Sequence, residues 1–468
     1  MRYAHLLEGL EIGTIPFSAL NLGDRLDAEY FSKENRAIEK SLKDHDARPL
    51  REFGTLVGSA FYPAATDLYE QGDVLFARCV DCIEHPVITQ QQETEFVRLP
   101  SWFVEQSKQI DCAKRGDIII TKVGTPCFAS IVHDYDRIAL SRTVLGLVRI
   151  HDIDPYYLVA FLRCRFGFNQ LLRQREQTIQ FQLTLERVRS VLIYRASPTL
   201  QSAVRRTILA HVAAIEQSHD KLEEAEAIVI SVLGLANWNP LDPLAYTRRA
   251  SDVFAARRLD SQYFTPRVAE LLRRLGFGGQ CIRDAAPPRR ERFVPSGSGT
   301  FRYMEISDVH GDGTASTHDV QMREAPSRAT WYARTGDVVT STVRPNRRLS
   351  ALVARDQDGC VTSSGFVVLQ PRAVPAEVLL TYLRLPVFRE LMDLHTSASL
   401  YPAISEGDLL GLPFPKFQQE ASSAIVSAVR LAHAANDRAH DLLTQAKRSV
   451  EIAIEGSETA ALKYLGES

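Results

Sequence analysis

Arg25-Leu26-Asp27-Ala28-Glu29-Tyr30-Phe31 opens one half of the chain, and Arg258-Leu259-Asp260-Ser261-Gln262-Tyr263-Phe264 opens the other. Each copy precedes a mixed, strand-rich stretch and then one long helical pattern. A unit of this length is not a solenoid repeat, whose units run to tens of residues. It predicts two similar domains in one chain. Such a pair suits a bipartite or pseudo-symmetric target, because two matched readers mirror two half-sites.

Working outward from the first copy, residues 74–80 read as a strand and 116–125 as a buried strand ending in a Gly turn. Residues 145–150 read as another strand, and 155–172 as an amphipathic helix. The second half repeats these signals in order at 301–308, 335–345, 365–369 and 375–392. Two departures stand out in the first half. Glu34-Asn35 takes the place of Pro266-Arg267, and residues 80–111 have little counterpart.

The long helices carry a second regularity. Ser197-Pro198 offers an N-cap followed by a helix-starting proline. From there Val204, Ile208, His211, Ile215, Ser218, Leu222, Ala225, Val229 and Val232 recur in steps of four and three. Ile425, Ala428, Ala432, Ala435, Ala439, Leu442, Ala446, Ser449 and Ala453 do the same. Such a seam argues for a coiled coil, and its alanines allow close approach. A helix over 417–455 would run roughly 60 Å. The simplest use of both is an antiparallel pair that spaces the two domains; the plainer use is two amphipathic helices on separate cores. The expected fold is α/β (α+β) and pseudo-two-fold. A mixed domain spans 1–197, a helix 198–236, a linker 237–250, the second mixed domain 251–415, a helix 416–455 and a tail 456–468.

At 468 residues, 45% hydrophobic and 24% charged, the chain has room for two or three cores. No apolar run is long enough to span a bilayer, and the N-terminus lacks a secretory pattern. Seven scattered cysteines fit reduced thiols in a cytoplasm. A net charge of −2 does not exclude nucleic-acid binding, since a local patch matters more than the total. Between Glu223 and Pro415 every cation is arginine. Arginine's planar fork matches phosphate and guanine edges, although a GC-rich genome would give the same usage.

Taken together, the twin Arg-Leu-Asp openings, the Gly-Asp strands at Gly116 and Gly336, the paired long helices and their order resemble the DNA specificity subunit of type I restriction-modification systems. The resemblance runs from about residue 16 to 455 and extends to related methylation-linked phage-defence systems. It implies that each mixed domain is a target recognition domain reading one half of a split site on double-stranded DNA. It implies that the helices act as a spacer and dock two methyltransferase subunits, and that motor-nuclease restriction subunits join them. It implies no catalytic centre and no cofactor in this chain. The methyltransferase would use S-adenosylmethionine, and the motor ATP and Mg²⁺.

Base reading needs donors and acceptors on loops beside strand ends. In the first domain the candidates are Arg78, Lys122, Thr125, Ser141 and Arg142. In the second they are Ser307, Asp308, Thr342, Arg344, Asn346, Ser363 and Ser364, with Arg289, Arg290 and Arg292 as phosphate contacts. Arg25, Asp27, Arg258 and Asp260 either touch DNA or, more simply, form internal salt bridges that set each domain against the helix pair. Tyr30, Phe31, Tyr263 and Phe264 read as core. Cys79-x-x-Cys82 with Cys112 and Cys127 invites a zinc site, but a ribbon has two close pairs, so four ordinary thiols and no metal are expected. No phosphate-binding Gly-Lys-Ser/Thr loop, methyltransferase motif or nuclease core is visible. A coiled-coil protein-interaction adaptor without DNA specificity is the alternative. An enzyme with an unrecognised active site is the other.

Overall fold

The computed structural model describes residues 15, 27–61, 68–69, 72–83, 85–92, 96–175, 181–241, 243–256, 258–397 and 402–467. It divides into two compact units, Met1–Glu216 with Asp437–Ser468, and Gln217–Asn436.

In the first unit a five-stranded sheet runs in the order Thr55–Val57, Val144–Val148, Ile118–Thr121, Ala129–Val132, Val87–Ile88. A four-stranded sheet runs Val97–Leu99, Val74–Ala77, Ile138–Leu140, Cys112–Ala113. The second unit repeats the centre of the first sheet and the whole of the second. Ser350–Leu352, Val338–Ser341 and Phe366–Leu369 form a three-stranded sheet. His318–Gln321, Thr300–Met304, Cys360–Ser363 and Ala329–Ala333 form a four-stranded one. Register repeats as well: Ile120 faces Ala129 and Leu145, while Thr340 faces Ser350 and Val367. One parallel pairing recurs, Leu75 with Ile138 and Tyr303 with Val361. Residues 80–111 therefore hold a counterpart after all: Val97–Leu99 lies against its neighbour as His318–Gln321 does. The likeness was hidden because strand pairing survives without sequence identity.

The Gly-Asp motif makes the same turn in both units. Gly116 and Gly336 take φ of 87° and 83°, where an added Cβ is strained. The following aspartate ties the turn down: Lys114 N donates to Asp117 at 2.9 Å and Arg334 N to Asp337 at 2.8 Å. The next strand is mostly β-branched and buried on both faces, Ile118-Ile119-Ile120-Thr121 in one unit and Val338-Val339-Thr340-Ser341 in the other.

Each single helix expected after these strands is two. Pro155–Arg163 and Arg165–Arg173 are separated at Cys164, whose ψ is 169°. Gly167 lets the second begin there, since a Cβ on it would stand 2.1 Å from Phe161 O. Ala376–Arg384 and Pro386–Leu394 part at Leu385, because a residue before proline avoids helical ψ.

The long helices are Pro198–Val232 and Gln419–Glu455. Within the first unit they pair antiparallel. Ser197 N bonds Glu458 at 2.8 Å, and His211 Nδ1 meets Ala439 O at 2.8 Å. Leu200, Val204, Ile208 and Val212 share a core with Ala446, Val450 and Ala453. In the second unit Ala225 and Val229 share a core with Ile425, Ala428 and Val429. All eight small or β-branched seam residues read from the last helix are buried and Leu442 is half-buried. On the first helix Ile215 and Leu222 are half-buried, and Val232, in the final turn before the Gly234 cap, is 43% exposed and leaves the seam. Among the described residues no helix is long and apolar enough to cross a membrane.

Candidate nucleic-acid interface

Three strand-end loops converge in the first unit. Lys122 N donates to Thr143 O, Cys79 N to Thr143 Oγ1 at 3.1 Å, and Cys79 Sγ to Thr125 O at 3.3 Å. Arg78, Lys122–Thr125 and Ser141–Thr143 thus lie together. The second unit does the same with different side chains. Thr342 N and Oγ1 both donate to Gly365 O, and a Cβ on Gly365 would press on Ile306 at 2.6 Å. The backbone frame matches closely: Leu183 N donates to Lys122 O and Ile404 N to Thr342 O, with isolated bridges Val123–Gln182 and Val343–Ala403.

Several candidates are buried or already engaged by neighbouring residues. Ser141 is fully buried and shares a 2.7 Å hydrogen bond with Thr143; Ser363 is 5% exposed and turned toward Gly365 N. Both residues close the turn before a strand, a role that needs a short hydroxyl inside. Arg78 is engaged by Asp81, with Nε and Nη2 bonds of 3.0 and 2.8 Å to its carboxylate. Arg289 clasps Asp337 at 2.6 and 2.9 Å, at the far end of the strand from Thr342, and serves the Gly-Asp turn. Arg290 pairs with Glu406 and lies over Trp331. Asp308 caps its own turn by accepting from Glu305 N at 2.7 Å. Thr125, Arg142, Arg292, Ser307, Asn346 and Ser364 are exposed, and Lys122, Thr342 and Arg344 are half-buried.

The Arg-Leu-Asp openings differ between units. Arg258 holds Asp260 in two 2.8 Å bonds, stacks 4.3 Å over Tyr263 and donates to Leu394 O at 2.6 Å. This fastens the motif to helix Pro386–Leu394 rather than to the long helices. In the first copy Arg25 lies outside the described residues. Asp27 accepts from Tyr30 N at 3.0 Å, and Arg173 covers the Tyr30 ring at 3.8 Å while pairing with Glu39 at 2.6 Å. The four aromatics of the two motifs are half-buried rather than core.

Two buried arginines at equivalent places escaped the sequence reading. Arg163 donates to Ala129 O, Cys82 O and Ile83 O; Arg384 donates to Ser350 O, Arg348 O and Gly311 O. Burial pushes their guanidiniums down to about 10 and about 9. Phe161-Leu162-Arg163 and Tyr382-Leu383-Arg384 were the available signal, an arginine in an otherwise apolar helix face. The cysteines are all free thiols, and burial pushes Cys82 and Cys127 up to about 12, so both stay protonated at neutral pH.

No family model matches the sequence, and no curated protein matches it. Among solved structures, the HsdS subunit from Thermoanaerobacter tengcongensis is similar at 15% identity, covering 88% of this chain and 96% of that one, with a TM-score of 0.29. A type I restriction-modification S subunit from M. genitalium is similar at 11% identity over 89% and 95% of the two chains, with a TM-score of 0.35. The type IIG restriction endonuclease BpuSI matches over 52% of this chain and 33% of its own, at 12% identity and a TM-score of 0.30. Superpositions at these scores do not equate this chain with any of those proteins.

Proposed function

We propose that the chain is a non-catalytic DNA-specificity subunit of a type I-like restriction-modification or phage-defence complex, acting in the cytoplasm. Each unit reads one half of a bipartite site on double-stranded DNA. The long helices set the gap and receive two methyltransferase subunits, to which motor-nuclease subunits add. S-adenosylmethionine, ATP and Mg²⁺ belong to those partners. The observation that carries the reading is the duplicated frame of strand-end loops, which shares its main backbone bonds while its exposed side chains differ. That is what two readers of two different half-sites require. Requiring both at once raises specificity, because the first contact supplies effective concentration for the second. Methylome sequencing of host cells with and without the chain tests it. A split motif that vanishes on deletion supports the proposal. A methylation pattern indifferent to the chain contradicts it and favours a protein-interaction adaptor.

A further inference from the structure

The loop after the second Gly-Asp strand, Arg344-Pro345-Asn346-Arg347-Arg348, has an unusual backbone, a form shared among the described residues by the short turn from Arg149 to Asp152. Two non-glycine residues, Arg344 and Arg348, take left-handed φ of 50° and 57° at its two ends. Such conformations persist only where the surroundings over-determine them, and here the fastenings are on view. Arg384 Nη1 donates to Arg348 O at 2.9 Å, Arg389 Nη1 to Asn346 O at 2.7 Å, and Arg344 N to Pro402 O at 2.8 Å. The Arg348 side chain pairs with Glu226 of the first long helix. What this leaves outward is the tip: Asn346 and Arg347 are exposed, and Arg347 makes no ion pair among the described residues. Five arginines thus gather in one loop and the helix pair beneath it. Their summed field favours a polyanion, while the rigid loop fixes where one fork points.

We infer that Arg347 reads a guanine in the second unit's half-site, and that Arg384 and Arg389 are positioning residues that hold its loop from beneath. The inference rests on the DNA-specificity reading. An arginine fork bonds guanine O6 and N7 together, which no other base offers in the major groove. A preset backbone lets the side chain meet that edge without first ordering the loop.

The test is selection from a randomised pool of double-stranded DNA by the full-length chain, with its methyltransferase present. Arg347→Ala should lose preference for one guanine by about tenfold to a hundredfold, leaving the other half-site untouched. Arg389→Met, which has no donor, should blur the same position by about threefold to tenfold at an unchanged melting midpoint, and Arg389→Lys, which can still donate to Asn346 O, should restore it. Arg384→Lys adds a second positioning variant whose folding is checked by melting. An unchanged base preference in Arg347→Ala overturns the inference. So does a uniform drop in affinity with the same preference, the mark of a phosphate contact. A wild-type chain that selects no DNA overturns the functional reading along with it.

Discussion

The loops that leave the two Gly-Asp strands share a frame and almost nothing else. Both bond back at the same positions, Lys122 N to Thr143 O and Thr342 N to Gly365 O. The first continues through small residues, Gly124-Thr125-Pro126-Cys127, and the second through Arg344-Pro345-Asn346-Arg347-Arg348. The Gly-Asp turns beneath them diverge likewise. Asp337 is gripped by Arg289, whereas burial raises the Asp117 carboxyl, and its backbone hydrogen bonds and Lys114 only partly offset that. The lesson is that this fold holds its backbone with a few inward polar groups and leaves the outward side chains free to change. On the proposed reading, two halves built this way recognise different sequences.

That comparison can be broken first at its shared foundation. Arg163→Met and Arg384→Met each orphan buried carbonyls, and each should destabilise its own unit by about 3–5 kcal/mol. Hydrogen exchange would place the loss in the unit that carries the substitution; a loss spread evenly over both would break the equivalence. Next, Asp337→Asn should cost about 1–2 kcal/mol by removing the closer of the two carboxylates that face Arg289, with Glu291 left at 3.7 Å. Asp117→Asn should cost under about 1 kcal/mol, since its oxygen still accepts from Lys114 N. Equal melting shifts would remove the distinction between the turns.

Acid sharpens the contrast. In the first unit Tyr194 OH and Ser197 N donate to Glu458 at 2.6 and 2.8 Å, while in the second Tyr382 OH donates at 2.7 Å to the carbonyl of Pro413. Burial works to raise Glu458, but the bonds from Ser197 and Tyr194 hold it below its ordinary value of 4.5. Because the folded value is the lower one, this stabilisation is complete above the unfolded value and fades as pH falls through the folded one. Glu458→Gln should therefore lower stability at neutral pH by about 1–2 kcal/mol and flatten its acid dependence. An unchanged acid slope by circular dichroism would count against it. Gly116→Ala and Gly336→Ala should each cost about 1 kcal/mol, alike in both halves, because each turn has open space but left-handed φ.

What could be read in the sequence was whatever depends on near neighbours. The Gly-Asp turns, the succession of strand signals along each half and the alanine seam follow from local periodicity and from a glycine beside its capping aspartate. Burial of Ser141 and Ser363 could not be read, because a serine before a strand looks the same whether its hydroxyl turns in or out. Arg384 was illegible for a related reason: its acceptors lie at Gly311, Arg348 and Ser350, 73, 36 and 34 residues away. Arg78 and Asp81, three residues apart, were legible in principle and illustrate how readily an arginine near a strand end is spent locally.

The most direct test of the two-reader account is to remove one heptad from both long helices and determine the selected DNA site again. Seven residues are about 10 Å of helix, or about three base pairs. The account predicts both half-sites unchanged and the gap between them shorter by about that much. A gap that stays the same, or a single undivided site, would contradict it.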